Sequence, residues 1–319
     1  MSEHVPRTVW GRDPIWPILV LAACCGLDLL TGNGLSVPAG VILWKLRLPR
    51  MLTALAAGAA LGLSGAQMQA VFRNPLADPH IMGVSGGAGL GAAIAALTVT
   101  SASLAGGLTM VAAAFAGALL AGMLIVAVSA RVQSTGTLLL AGVMLGFILS
   151  AVSSVLQYTA GEESLKLFYS WMAGSFSSVR YSGLAMMGAA LLAGCGLAFS
   201  QAKSLDLVLF GDAFATFSGA SLKRLRFVTM LGCALMTGAV TAFCGPIGFA
   251  GIAAPHLARK ALGTSTHRTV LPGSMVMGAI LALMGDILAH LGPLPLPVGS
   301  TLAIVGIPLI VWLLWRNRL

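Results

Sequence analysis

Side chains able to do chemistry are sparse in this sequence of 319 residues, which holds nine acidic residues, five histidines and five cysteines. Hydrolysis or group transfer requires a nucleophile beside a base, or several convergent carboxylates or histidines, and the spacing shows neither. The cysteines lack CxxC spacing and fall in apolar stretches, where free cysteine behaves as a small hydrophobe. They are Cys24, Cys25, Cys195, Cys233 and Cys244. We therefore predict that the chain is not an enzyme and has neither catalytic residues nor a metal site.

Two acidic residues, Asp28 and Asp286, fall inside long apolar stretches. An acid within a membrane is a candidate functional site by default, and an ion-coupled carrier would use one. His290 follows Asp286 by four residues, so the two side chains lie on one helix face and can form a hydrogen bond. We interpret this pair as structural, with a proton relay as the alternative. His256, one turn before Arg259, is interpreted as a helix-end partner rather than a metal ligand.

The elements that must position these residues are apolar helices. The chain is 58% hydrophobic and 8% charged, with a mean hydropathy of +0.95, whereas a soluble domain carries about 25% charged residues. A helical span needs about 20 apolar residues. Apolar runs bounded by Pro, Gly and charge predict ten spans in one transmembrane domain over residues 1–319. They lie at 15–32, 49–70, 81–99, 105–130, 137–157, 181–200, 227–244, 245–258, 270–291 and 298–315.

Two segments between the spans are too polar to cross a membrane: an external loop at about 160–180 and a cytoplasmic loop at about 201–226. Most of the 18 Lys and Arg residues fall on the side of the N-terminus when ten spans are threaded through a membrane. Cytoplasmic loops hold the excess of Lys and Arg, so both termini are predicted to be cytoplasmic. The net charge of +9 therefore reflects topology and does not indicate a nucleic-acid partner.

Glycines recur every four residues at three places, which puts a smooth stripe on one helix face and lets helices approach closely. They are Gly58 and Gly62, then Gly83, Gly87 and Gly91, then Gly142 and Gly146. We predict that these stripes are packing surfaces between neighbouring spans.

An internal repeat is visible in the order of the motifs. RMLT at Arg50 and RFVT at Arg226 each open an Ala/Gly-rich span that runs into a Gly/Pro-interrupted stretch. By the charge topology the two copies run in opposite directions. Inverted repeats with interrupted segments at matching places are typical of transporters.

The loop at 201–226 contains an amphipathic stretch with three phenylalanines, Phe210, Phe214 and Phe217, followed by a basic cluster. Its composition suits a helix lying on the lipid surface equally well as a docking element for a cytoplasmic partner.

Several stretches in fixed order complete the pattern: LRLPRMLTALAAGAALGLSGAQMQAVFRNPLADPHIMGVSGGAG, LLLAGVML, WMAGSF, LFGDAFATFSG, GPIGFAGIAAPHLARKALGTSTHRTVLPG and LPVGSTLAIVGIPLIVWLL. With them the chain resembles the permease subunits of type II ATP-binding cassette (ABC) importers, which take up ferric siderophores, haem and cobalamin. The resemblance covers the chain almost end to end. It implies an all-α polytopic fold with about ten transmembrane helices and inverted repeats, in the bacterial cytoplasmic (inner) membrane.

The same resemblance implies the partners. A second permease subunit, most simply another copy of this chain, would form the pathway in membrane lipid, two cytoplasmic ATPase subunits would power it, and an extracytoplasmic binding protein would deliver the chelate. No GxxxxGK[ST] phosphate loop occurs, so ATP and Mg²⁺ are expected on the partner ATPase and no cofactor on this chain. The alternative function is an ion-coupled secondary transporter of a similar substrate.

The resemblance also assigns docking and gating roles. Arg47 and Arg50 of RLPR match arginines that meet acidic residues of the binding protein, and His290 stands where the family has a third arginine. Exposed charges of this kind orient docking. The first cytoplasmic gate is expected at Asn74 and Leu76, and the second at Ser134 and Thr135.

The remaining site residues belong to the coupling loop and the pathway. GDAFATFSG resembles the helices that seat in a groove of the ATPase, with Phe217 and Ser218 departing from the family pattern. The coupling residues carried over are Gly211, Asp212, Ala215 and Gly219. Helical spacing in the fifth span predicts that the pathway is lined by Met144, Phe147, Ser150 and Ser154.

Overall fold

A computed structural model describes residues 15–31, 39–98, 104–132, 134–292 and 294–316. Within these residues the secondary structure is helical throughout. The α-helices are α1 (Ile15–Leu30), α2 (Ala39–Ile42), α3 (Leu48–Phe72), α4 (Val84–Thr98), α5 (Leu104–Ser129), α6 (Thr135–Tyr158), α7 (Glu162–Ala173), α8 (Tyr181–Ser200), α9 (Ala202–Val208), α10 (Asp212–Phe217), α11 (Leu222–Cys244), α12 (Ala250–Leu262), α13 (His267–Ala289) and α14 (Val298–Arg316). A π-helical turn, Leu43–Arg47, joins α2 to α3, and a 3-10 turn, Pro79–Met82, precedes α4. Residues 1–14 and 317–319, on which the predicted location of the termini depends, lie outside the described residues.

The helices correspond to the predicted spans. In the described part of the chain, six helices are long and apolar enough to cross a membrane, and three shorter apolar helices, Ile15–Leu30, Val84–Thr98 and Val298–Trp312, lie at further predicted positions. The remaining predicted span, the short one at 245–258, corresponds to α12. The predicted all-α architecture with about ten spans is confirmed. The two polar segments contain short helices, α7 in one and α9 with α10 in the other.

Helix α3 forms the centre of the bundle. It is buried almost all round, as expected of a helix that is apolar on every face. A Cβ on Gly58 would overlap the backbone of Gly278 in α13, and one on Gly62 would overlap the carbonyl of Ser274 in the same helix. One on Gly65, outside the predicted stripe, would overlap Gly251 in α12. The missing side chains therefore set the distance between α3 and its two neighbours. The predicted packing role of the first glycine stripe is confirmed.

The other stripes pack in the same way. A Cβ on Gly87 would overlap the carbonyl of Gly117, and one on Gly91 that of Ala113, so α4 lies directly against α5. Gly83 has a left-handed φ of 80°, which an L side chain rarely adopts, and faces the backbone of Gly146 in α6. Packing between spans is confirmed here as well.

Helices α3 to α5 form one unit and helices α11 to α13 form a second, and the two units pack in equivalent ways. In the first unit α4 packs along α5, and in the second α12 packs along α13. Between the units, α3 packs on α12 and α13 while α11 packs on α4 and α5. Each pair in one half thus has its equivalent in the other, as expected of an internally repeated transporter fold. The repeat detected from RMLT and RFVT is therefore present in the tertiary contacts.

Candidate functional site

The segment after α3 is an ordered turn. Arg73 ends the helix in the left-handed conformation with φ 48°, and Pro75 cannot continue it because proline lacks the backbone N–H. The Asn74 side chain accepts the N–H of Leu76 at 3.0 Å, and Asp78 accepts the N–H that starts the 3-10 turn at 2.8 Å. Leu76 is left 48% exposed. The turn therefore presents an apolar side chain outward, and its role as a gate stays a prediction.

Helix α12 holds this turn from the opposite half of the fold. His256 Nε2 lies 2.9 Å from the carbonyl oxygen of Pro75. Arg259 donates to Gln69 Oε1 at 2.8 Å, and the Gln69 amide donates to the carbonyl of Ile252 at 3.1 Å. His256 is thus a partner of the loop backbone, in line with its interpretation as a helix-end residue.

The turn is also tied to the coupling loop through ion pairs. Asp212, the first residue of α10, has Oδ1 3.2 Å from Arg73 Nη2 and Oδ2 3.3 Å from Arg226 Nη2. Arg226 donates through its other terminal nitrogen to the carbonyl of Val132 at 3.3 Å. We call Arg73, Asp212 and Arg226 the Asp212 ion cluster. It joins the ends of α3 and α5 to the starts of α10 and α11.

The second predicted gate lies beside this cluster. Ser134 is the N-cap of α6 and accepts the N–H of Thr137 at 3.3 Å, as capping serines do. Its side chain is exposed and that of Thr135 is half-exposed. Val132, the residue contacted by the cluster, is two positions before Ser134. The structure thus brings both predicted gates to the same ionic cluster.

Around α10 the coupling residues have distinct structural roles. Gly211 and Gly219 bracket the helix with φ values of 108° and 86°, conformations that favour glycine. Ala215 is fully buried and seats the helix on the bundle. Phe217 on the outer surface is 92% exposed. Together with Phe210, 76% exposed, and Phe214, 50% exposed, it forms an apolar patch of the kind that marks interaction sites.

The predicted pathway residues of α6 lie on a face that the rest of the chain leaves open. The helix is buried at Leu138, Gly142 and Ser153. The exposed set includes all four predicted lining residues, Met144, Phe147, Ser150 and Ser154. Their accessibility is compatible with a pathway between two copies, and the lining stays a prediction.

At the other end of the bundle the structure corrects the prediction for Arg50. Its side chain is 7% exposed, and Nε lies 2.9 Å from Asp286 Oδ2. Nη2 is 3.8 Å from Asp28 Oδ1 and donates to the backbone carbonyl of Asp28 at 2.9 Å. Arg50 is the third residue of α3 and points inward between α1 and α13, where both carboxylates are fully buried. The expectation that Arg50 is exposed is therefore wrong, and its docking role stays a prediction.

Arg47 and His290 remain nearer the surface. Arg47 is half-buried and donates to the carbonyl of Leu29 at 2.9 Å. His290 directly follows α13, with Nδ1 2.9 Å from the backbone carbonyl of Asp286 and 3.4 Å from its Oδ1, and Nε2 3.3 Å from the Ser177 hydroxyl. Burial lowers the pKa of His290 below its usual value, and the hydrogen bond to Asp286 opposes this. The hydrogen bond of His290 thus goes to the backbone carbonyl of Asp286, whereas the prediction placed it between the two side chains.

Sequence reasoning did not connect Asp28, Asp286 and Arg50. The signal was available, because a buried acid needs a cation and Arg50 lies just inside the predicted second span. Among the described residues no group of three or more His, Cys, Asp or Glu side chains is arranged to hold a metal ion.

Comparison with known proteins agrees with this architecture. A model of the FecCD transport family matches residues 15–316. The vitamin B12 import system permease protein BtuC of Klebsiella pneumoniae subsp. pneumoniae is 39% identical over 303 residues, covering 94% of this chain and 90% of that protein. BtuC of Citrobacter koseri is 37% identical over 303 residues, covering 94% and 91%. A solved metal-chelate type ABC transporter in an inward-facing conformation superposes with a TM-score of 0.86 at 29% identity, over 95% of this chain and 98% of that one. The chain belongs to the FecCD transport family.

Proposed function

We propose that this chain is the membrane-spanning permease subunit of an ATP-driven importer of a metal chelate, with cobalamin as the first substrate to test. The observation that carries the proposal is the likeness to permeases named for vitamin B12 import over 94% of the chain. The structure supports it through a repeated helix bundle, an open face on α6 and a cytoplasmic patch beside both predicted gates. As a transport subunit the chain is not an enzyme.

The partners follow from the surfaces. Two copies of the chain form the pathway between their α6 faces, since Phe147 is 64% exposed in a single copy. Two ATPase subunits, which bind ATP and Mg²⁺, seat on the patch of Phe210, Phe214 and Phe217. A binding protein docks at the opposite end, near Arg47 and His290. Residues 1–319 act as one transmembrane domain in the cytoplasmic membrane, with both termini inside.

In this proposal the chelate enters from the binding protein, passes between the α6 faces and leaves past Leu76 and Ser134. Apolar and small side chains without fixed charge suit a large rigid substrate, because tight binding along the pathway would slow its release. The ion-coupled alternative required Asp286 as a proton carrier. Its carboxylate is fully buried beside Arg50, so the geometry supports a structural role.

The test is uptake by the complete importer in proteoliposomes. We expect radiolabelled cyanocobalamin to accumulate only with ATP inside, the binding protein outside and the ATPase subunits bound, and to persist when ionophores remove ion gradients. A ferric siderophore and haem are measured in parallel to rank the chelates. Uptake without an ATPase subunit, abolished by the ionophore, would establish the ion-coupled alternative instead.

A further inference from the structure

Asp212 connects more segments of the fold than its position on a short surface helix requires. Each of its carboxylate oxygens pairs with a different arginine, at 3.2 Å to Arg73 and 3.3 Å to Arg226. Arg73 is the residue before Asn74 in the first predicted gate. Arg226 holds the carbonyl of Val132 at 3.3 Å, two residues before the second predicted gate.

The local backbone favours this contact. Gly211 has φ 108°, and a Cβ placed on it would lie 3.8 Å from Arg73 Nη1. Glycine therefore provides the turn into α10, and the guanidinium of Arg73 lies in ordinary contact range beside the start of the helix. A carboxylate at the N-terminus of a helix is itself favourable, so Asp212 serves both the helix and the two cations.

The exposure of the cluster suits a contact that moves. The side chains of Arg73 and Asp212 are 40% and 32% exposed, while that of Arg226 is 10% exposed. Ion pairs this accessible to water contribute little to stability, but charge-assisted hydrogen bonds keep their geometry. Arg226 is the fixed member, and Arg73 is the member that can follow α10.

We propose that Asp212 is the positioning residue through which a displacement of α10 reaches both cytoplasmic gates at once. The proposal rests on the proposed function, in which ATPase subunits move α10. Because one carboxylate holds the cations attached to both loops, the loop of Leu76 and the loop of Ser134 shift together. A gate moved by α10 through packing alone would not depend on this charge.

The test uses the complete importer in proteoliposomes and compares Asp212→Asn with Asp206→Asn. Asp206 lies in the same loop, is 31% exposed, and pairs with His267 of α13 rather than with a gate loop. ATP hydrolysis, chelate uptake, and labelling of a Ser134→Cys variant by a thiol reagent with and without a non-hydrolysable ATP analogue are measured. The parent with Ser134 intact gives the background from the native cysteines.

We expect Asp212→Asn to keep most of its ATP hydrolysis, to lose about tenfold in chelate transported per ATP, and to label at position 134 independently of nucleotide. Asp212→Glu restores the charge and recovers coupling, whereas Asp206→Asn behaves as wild type. Equal coupling in Asp212→Asn and Asp206→Asn, or loss of coupling in Asp212→Glu as complete as in Asp212→Asn, would overturn the role of Asp212. If wild type neither hydrolyses ATP with its ATPase nor accumulates chelate, the proposed function itself fails.

Discussion

Replacing Arg50 with methionine tests the buried ion cluster that Arg50 forms with Asp28 and Asp286 at the opposite end of the bundle from Asp212. Methionine keeps the length and much of the volume of the side chain but removes the guanidinium. The change leaves Asp28 and Asp286, both fully buried, without their cation. It also removes the donors to the carbonyls of Asp28 at 2.9 Å and Thr31 at 3.2 Å.

The magnitude follows from the burial. Removing one partner of a buried ion pair costs about 3–5 kcal/mol, because the remaining charge is left uncompensated in a medium of low dielectric constant. For a large domain 1 kcal/mol corresponds to about 2–4 °C in melting temperature, so a fall of about 6–20 °C is expected. Arg180→Met is the matched control. Arg180 is exposed on the same side, and such surface substitutions stay within about 0.5 kcal/mol.

The assay is thermal unfolding of the detergent-solubilised protein, monitored by tryptophan fluorescence. The affinity of the folded protein for the binding protein is measured alongside. A triple variant in which Arg50, Asp28 and Asp286 are all apolar should recover most of the loss, because no buried charge is left unpaired. A melting temperature of Arg50→Met equal to that of Arg180→Met, with weakened docking, would refute the buried cluster and restore the exposed docking role.

Three further changes test other parts of the structure. Gly87→Ala should destabilise the protein by about 1–3 kcal/mol through overpacking against α5. A Cβ on Gly89 would meet nothing within 4 Å, so Gly89→Ala should be neutral or stabilising in the same melting assay. Phe217 is 92% exposed, so Phe217→Ala should leave the melting temperature unchanged and weaken the affinity for the ATPase subunit about tenfold or more in a pull-down titration. The control Tyr158→Ala, at a side chain of α6 that is 93% exposed, should not affect that affinity. Because the pKa of His290 is lowered by burial, the unfolded state binds the additional proton as the pH falls through about 6.5. Wild type should therefore lose stability below that pH relative to His290→Gln, and parallel pH profiles of the two proteins would contradict the lowered pKa.

Helix positions could be predicted because they depend on composition. Backbone groups in lipid must be satisfied within the helix, so apolar runs between Pro, Gly and charged residues mark spans with little help from tertiary contacts. The glycine stripes could be predicted because a glycine lets a neighbouring helix approach closely, whichever helix that neighbour is. The internal repeat needed only the order of two motifs.

The polar contacts could not be predicted in the same way. Arg50 lies three residues from Arg47, and the RLPR pattern suggested two exposed charges. In the structure α3 points Arg50 inward to Asp286, which lies 236 residues later in the sequence. Asp212 looked like one residue of a surface loop, and its link to the ends of α3 and α5 depends on how the two repeated units pack.

The sequence by itself determined that this protein is a bundle of membrane-spanning helices with internal repeats, because hydrophobicity and helix-breaking residues act locally. Only the tertiary structure decided which charges are free for partners and which are held inside the fold. Whether a charge is buried depends on which helices surround it, and helices distant in sequence come together only when the bundle is packed.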